Sequence, residues 1–119
     1  MISCLSPAGV ALALLTIAPA GALAGTVVDG SGGKSCGTWI EDERGDNNSA
    51  IHSMDMGWVL GFLSATNLGV DVEILKNSDV DSFKAWIDNY CSLHPLDSIG
   101  EATIALSVEI VDRARANSK

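Results

Sequence analysis

The sequence predicts an all-α fold: a small disulfide-stapled bundle of about four helices after a cleaved signal peptide. Three observations predict it. Apolar residues recur at three- and four-residue spacing in separate stretches divided by Gly, Asn, Ser and Pro. Ser35, Ser78 and Ser98 each stand where a helix cap belongs. Two cysteines, Cys36 and Cys91, remain once the leader is removed, an even count that pairs by default in an oxidising compartment.

The leader comes first. Met1 to Ala24 has no charged side chain, and its apolar run VALALLTIA has the length of a signal-peptide core, too short to span a bilayer comfortably. Pro19 stops that run ahead of the small-residue cleavage signature AGALA. The division expected is a signal peptide over 1–24, a flexible Gly-rich leader over 25–34, and a helical domain over 35–119. Cys4 departs with the signal peptide. The protein is then periplasmic or secreted, with no stable membrane insertion after cleavage.

Ser35 caps a first helix, CGTWIEDE, whose Cys36, Trp39 and Ile40 share one face. RGDNNSA, residues 44–50, reads as a loop. The second helix, SMDMGWVLGFLSATN, repeats Gly57, Gly61 and Ala65 every four residues, a stripe that lets a neighbouring helix approach backbone to backbone. Each glycine costs about 1 kcal/mol against alanine in a helix interior, so close packing should offset it. If the stripe is left uncovered in the monomer, a homodimer is favoured. VDVEIL, residues 70–75, fits either a short extended piece or a loop with a few apolar anchors. Ser78 and Asp81 approximate a capping box for an amphipathic third helix carrying Val80, Phe83, Trp86, Ile87, Tyr90 and Cys91. His94 precedes Pro95 and marks that helix's end. Ser98 and Glu101 make a capping box for the last helix, along one side of which lie Ile99, Ala102, Leu106, Glu109, Ile110 and Arg113, a stripe that fades into charge toward the tail.

CGTWIEDE, GWVLGFLSATN and WIDNYCSLHPLDSIGEA together resemble a group of small exported proteobacterial proteins of unassigned function. The order of cysteine, glycine-bearing helix, cysteine, proline and last helix is similar to the HdeA-like periplasmic acid-stress chaperones. It is similar also to the Tai-like immunity proteins that block type VI secretion amidases. Both classes are small, helical, exported and disulfide-bonded, and act by binding proteins. The resemblance implies a class and carries over no contact residue.

Function is then weighed by chemistry. The formal charge of −8 argues against nucleic acid as a partner, since that needs a basic face. No catalytic, cofactor or metal residue is assigned. His52, Asp55, Asp88 and His94 show no spacing that general acid-base work requires, and Asp55 reads as a surface carboxylate. Cys36, His52, Cys91 and His94 could formally hold zinc but lack a second short-spaced pair. The reading preferred is a non-enzymatic protein-binding module with an unknown protein partner. An acid-stress chaperone is the alternative, and a hydrolytic or metal-dependent enzyme the further one. Partner contacts are expected from the loops, through Arg44, Asp46, Asn47 and Asn48 and through Asp71 and Glu73. Of Trp39, Trp58 and Trp86, either all are core or one stays partly exposed as a binding anchor.

Overall fold

The computed structural model describes residues 29–45 and 48–119. After a 3-10 turn at Gly30–Gly33 come α1 (Cys36–Arg44), α2 (Asn48–Gly69), α3 (Val80–Leu93) and α4 (Ile99–Asn117). The described residues form no strand beyond one isolated bridge between Ser35 and Ser98. Residues 1–28, with the expected signal peptide and Cys4, lie outside the described residues.

The disulfide forms as expected. Cys36 and Cys91 are bonded with their Cα atoms 4.7 Å apart, joining the first turn of α1 to the last turn of α3. Both cysteines are fully buried. The loop they close spans 55 residues, for which chain-entropy reasoning gives about 4 kcal/mol.

Two helix starts meet at this staple and cap each other. The first N–H groups of a helix lack intrahelical acceptors. Here Cys36 N–H donates to the Asp97 carbonyl at 2.7 Å, and Ile99 N–H donates to the Lys34 carbonyl at 2.8 Å. Gly37 N–H finds the Pro95 carbonyl at 3.0 Å. A Cβ at Gly37 would lie 3.4 Å from that carbonyl oxygen, an ordinary van der Waals contact. Ser35 Oγ accepts from Thr38 N–H at 3.1 Å, and Ser98 and Glu101 form the expected reciprocal box.

α1 packs on α2 and α3, and α4 packs on α3 and α2. Trp39, Val59, Leu63, Ile87, Ile99 and Leu106 are the large side chains at the centre of the core. The spacing along each helix explains the set: Val59 and Leu63 on α2 and Phe83, Ile87 and Cys91 on α3 repeat every four residues. Of the tryptophans, only Trp39 is fully buried; Trp58 and Trp86 are half-buried at the core's edge.

Several expectations need correction. α1 runs to Arg44 and α2 begins at Asn48, so four residues of the supposed 44–50 loop, Arg44 and 48–50, are helical. Asn and Ser were taken for turn chemistry where they instead open a helix, a position they equally favour. The α3 box is formed by Asp79 and Ser82, one residue later than expected, with Ser82 N–H donating to Asp79 Oδ1 at 2.7 Å. Residues 70–75, by contrast, agree with one of the two readings offered, a loop with an apolar anchor, which is the buried Ile74. Within the supposed flexible leader, Gly30–Gly33 is a turn that packs on α2 and α4. Gly30 takes φ +74°, a left-handed conformation open to glycine, with the Trp58 ring 3.5 Å from where a Cβ would sit.

The glycine stripe does not pack inside the monomer. Gly57, Gly61 and Ala65 are all exposed, and a Cβ added at either glycine meets nothing within 4 Å. The core takes the opposite face of α2, where Met56, Val59 and Leu63 are larger and bury more apolar surface.

Candidate functional site

About 20 Å along α3 from the disulfide, the chain from Asp71 to Ser78 folds against the end of α4. Between them lies a groove of about 590 Å³. Val72 and Ile74 line it from the loop, and Ile110 and Ala114 from α4. Its charged rim is Asp71, Glu73, Lys76 and Arg113.

Side-chain bonds give the loop its shape. Asn67, two residues before the end of α2, accepts from Ile74 N–H through Oδ1 at 2.9 Å and donates through Nδ2 to Glu73 at 3.3 Å. The other Glu73 oxygen accepts from Leu75 N–H at 3.0 Å. Arg115 crosses from α4 to Asp71, donating from both Nε and Nη2 to Oδ1 at 3.3 and 3.0 Å. That hydrogen bond, aided by the guanidinium's charge, holds the exposed Asp71 carboxyl below the usual range. Arg113 is paired along α4 with Glu109, which also accepts from Trp86 Nε1 at 2.8 Å.

Two polar clusters occupy the rest of the molecule. Lys34 Nζ reaches both Asp55 oxygens at 3.0 Å and Asp42 at 3.1 Å. Asp55 is fully buried, which corrects the expected surface carboxylate. It lies on the helix face of Val59 and Leu63, four and eight residues on, and that spacing was the overlooked signal. Lys34, assigned to the leader, supplies the counter-charge that makes this burial tolerable. Burial works against the Lys34 ammonium, but the hydrogen bonds and charges of Asp55 and Asp42 outweigh it and raise its pKa.

The second cluster surrounds Trp39. Its indole N–H donates to Asp88 at 2.7 Å, and Lys84 pairs with both Asp88 and Glu43. Here too burial opposes the Lys84 charge, while Asp88 and Glu43 together raise its pKa. His52 meets the Trp39 ring edge-on at 4.9 Å, with Nε2 3.8 Å from Glu43. Both His52 ring nitrogens are buried without a hydrogen-bond partner. His94 stands apart as the α3 cap, its ring tilted against that of Tyr90 with the centroids 4.5 Å apart. Among the described residues, no three His, Cys, Asp or Glu side chains gather as metal ligands.

The expected contact residues divide. Asp71 and Glu73 fall on the groove. Arg44 is exposed at the end of α1, 3.5 Å from Glu41; Asp46 and Asn47 lie outside the described residues, and Asn48 is the first residue of α2 rather than a loop residue. Lys76, Ile110 and Arg113 line the groove and were missed, because sequence spacing does not show that α4 ends beside the 71–78 loop. Neither family models, curated proteins nor solved structures match this chain. No described helix is long and apolar enough to cross a membrane.

Proposed function

We propose that this chain is a small exported protein-binding module of the HdeA-like or Tai-like kind, acting without catalysis and with no cofactor. The observation that carries the reading is the groove: a concavity lined by apolar and charged side chains of a loop and of α4, set on a disulfide-stapled scaffold. The disulfide supports export, because such bonds persist in oxidising compartments.

The test is affinity capture from a cell-envelope extract with immobilised residues 25–119. The wild type should retain a discrete protein at neutral pH, and a folded Val72→Arg variant should lose it. Recovery of background alone, at neutral and acidic pH alike, would overturn the reading.

One observation favours the acid-stress alternative. The charged carboxylate of Asp55 is fully buried and is matched by the ammonium of the partly exposed Lys34. With every carboxylate protonated and both histidines charged, seven basic side chains plus two histidines carry +9 in place of −8. Self-repulsion then favours opening. A client protein kept soluble at about pH 2 would support that alternative, and unhindered client aggregation would remove it.

A further inference from the structure

We propose that two copies of this chain pair through the exposed face of α2, antiparallel, with the two-fold axis at Gly61. The interface uses none of the residues that line the groove and does not depend on it.

That face has features for which the monomer has no use. Gly57 and Gly61 stand in a helix interior, where each is worse than alanine by about 1 kcal/mol, yet a Cβ at either would meet nothing within 4 Å. Beside them Met54 and Leu68 are 71% and 88% exposed, and Ile51 is exposed as well. Apolar area of this kind can leave water only against another surface. Ser64, at the edge of the face, already donates its hydroxyl to the Leu60 carbonyl at 2.7 Å, so covering it strands no donor.

Symmetry and charge make a second copy the occupant. Met54 and Leu68 each stand seven residues from Gly61, and Gly57 and Ala65 each stand four. An antiparallel partner therefore sets Met54 against Leu68 and Gly57 against Ala65 on both sides of the axis, with glycine against glycine where the helices come closest. Positions 54, 61 and 68 keep the seven-residue spacing of a helix-pair seam, and a two-fold contact demands this self-matching. Two copies carrying −8 each repel wherever acidic surfaces meet. Across the 22 residues of α2 the single formally charged side chain is Asp55, which is buried on the core face against Lys34. Two acidic molecules can touch there without bringing like charges together.

The size of the face sets the strength of the pairing. From Ile51 to Leu68 the helix runs about 25 Å, and a strip about 10–12 Å wide covers roughly 300 Å² on each copy. A standard complex buries about 800 Å² per partner, so the dimer is reversible and follows concentration.

The test is sedimentation equilibrium of the oxidised protein expressed from the full sequence. The mass should rise from one chain at about 5 µM toward two at about 1 mM. Gly61→Leu places a side chain on the axis: its urea midpoint in dilute solution should not fall, since the monomer has room, while its mass should stay at one chain throughout. Met54→Arg and Leu68→Glu should each weaken pairing. The double variant should recover it, associating about fivefold more tightly than either single one. The two positions meet only across an antiparallel pair, being about 21 Å apart along one helix. High salt should reduce the recovery. A single-chain mass at every concentration, or association unaltered by Gly61→Leu, would overturn the dimer. A double variant no tighter than the single ones would overturn the antiparallel register. Capture of a partner at the groove stands or falls separately.

Discussion

The two ends of α3 are built differently. At Cys91 the chain is fixed by a covalent bond and by backbone hydrogen bonds that join the starts of α1 and α4. At Val80 the neighbouring loop is shaped by Asn67, Glu73 and the Arg115–Asp71 pair, with buried Ile74 and half-buried Leu75 as its apolar anchors. The first end carries most of the order, and the second carries the groove. Backbone and covalent ties hold geometry whatever the surface residues are, whereas a loop held by side chains can change its contacts at small cost to the fold.

The largest expected effect breaks the contrast at its strong end. Cys36→Ser with Cys91→Ser should lower the unfolding free energy by about 4 kcal/mol, read from the urea midpoint. A loss no larger than that of Asp79→Ala, about 1 kcal/mol for one helix cap at the groove end, would erase the distinction. Next comes Asp55→Ala, which leaves the partly exposed Lys34 with Asp42 alone. It should cost about 2 kcal/mol, less than a wholly buried pair because Lys34 keeps some access to water.

Alkali sharpens the same contrast. Lys34 and Lys84 have raised pKa values, and so does Tyr90, first through its hydrogen bond to Asp97 and then through burial. A raised folded-state pKa gives stability that is complete below the unfolded value and lost as pH climbs through the folded one. Thermal midpoints should therefore hold steady to about pH 10 and fall above it. Lys34→Met should reduce that fall; an unchanged profile would contradict the role given to Lys34.

Gly57→Ala and Gly61→Ala should each add about 1 kcal/mol, since the new methyl meets nothing in the monomer. A lower midpoint, with a change in mass by light scattering, would show a second backbone seated on that face. The smallest effect is expected of Asp71→Asn at the exposed loop. Its stability contribution is present above the usual carboxylate pKa and fades as pH falls, so any difference from wild type should vanish in acid. A large change in the urea midpoint at neutral pH would show the loop to be held more firmly than its contacts indicate.

The parts legible in the sequence were those governed by neighbours along the chain. Ser35 and the Ser98–Glu101 box set helix starts through residues three apart, and the spacing of Phe83, Ile87 and Cys91 marked a buried face. The disulfide could be read because only two cysteines follow the leader. What stayed hidden depends on approach in space. Asp55 was misplaced because its counter-ion, Lys34, sits in a glycine-rich stretch that looked unstructured. The glycines of α2 were assigned to packing although the core uses the other face. Asp71 and Glu73 were found as loop residues, but the groove needed α4 to arrive beside them.

The reciprocal capping of α1 and α4 has a consequence for how the chain is made. Lys34 and Ser35 emerge early from the ribosome, yet the partners that complete the first helix's start, Pro95 and Asp97, emerge late. Such distant closure is entropically slow, so this junction closes only after nearly all of the chain has been delivered. The staple obeys the same order, since the bond between residues 36 and 91 can close only after the second sulfur has been made.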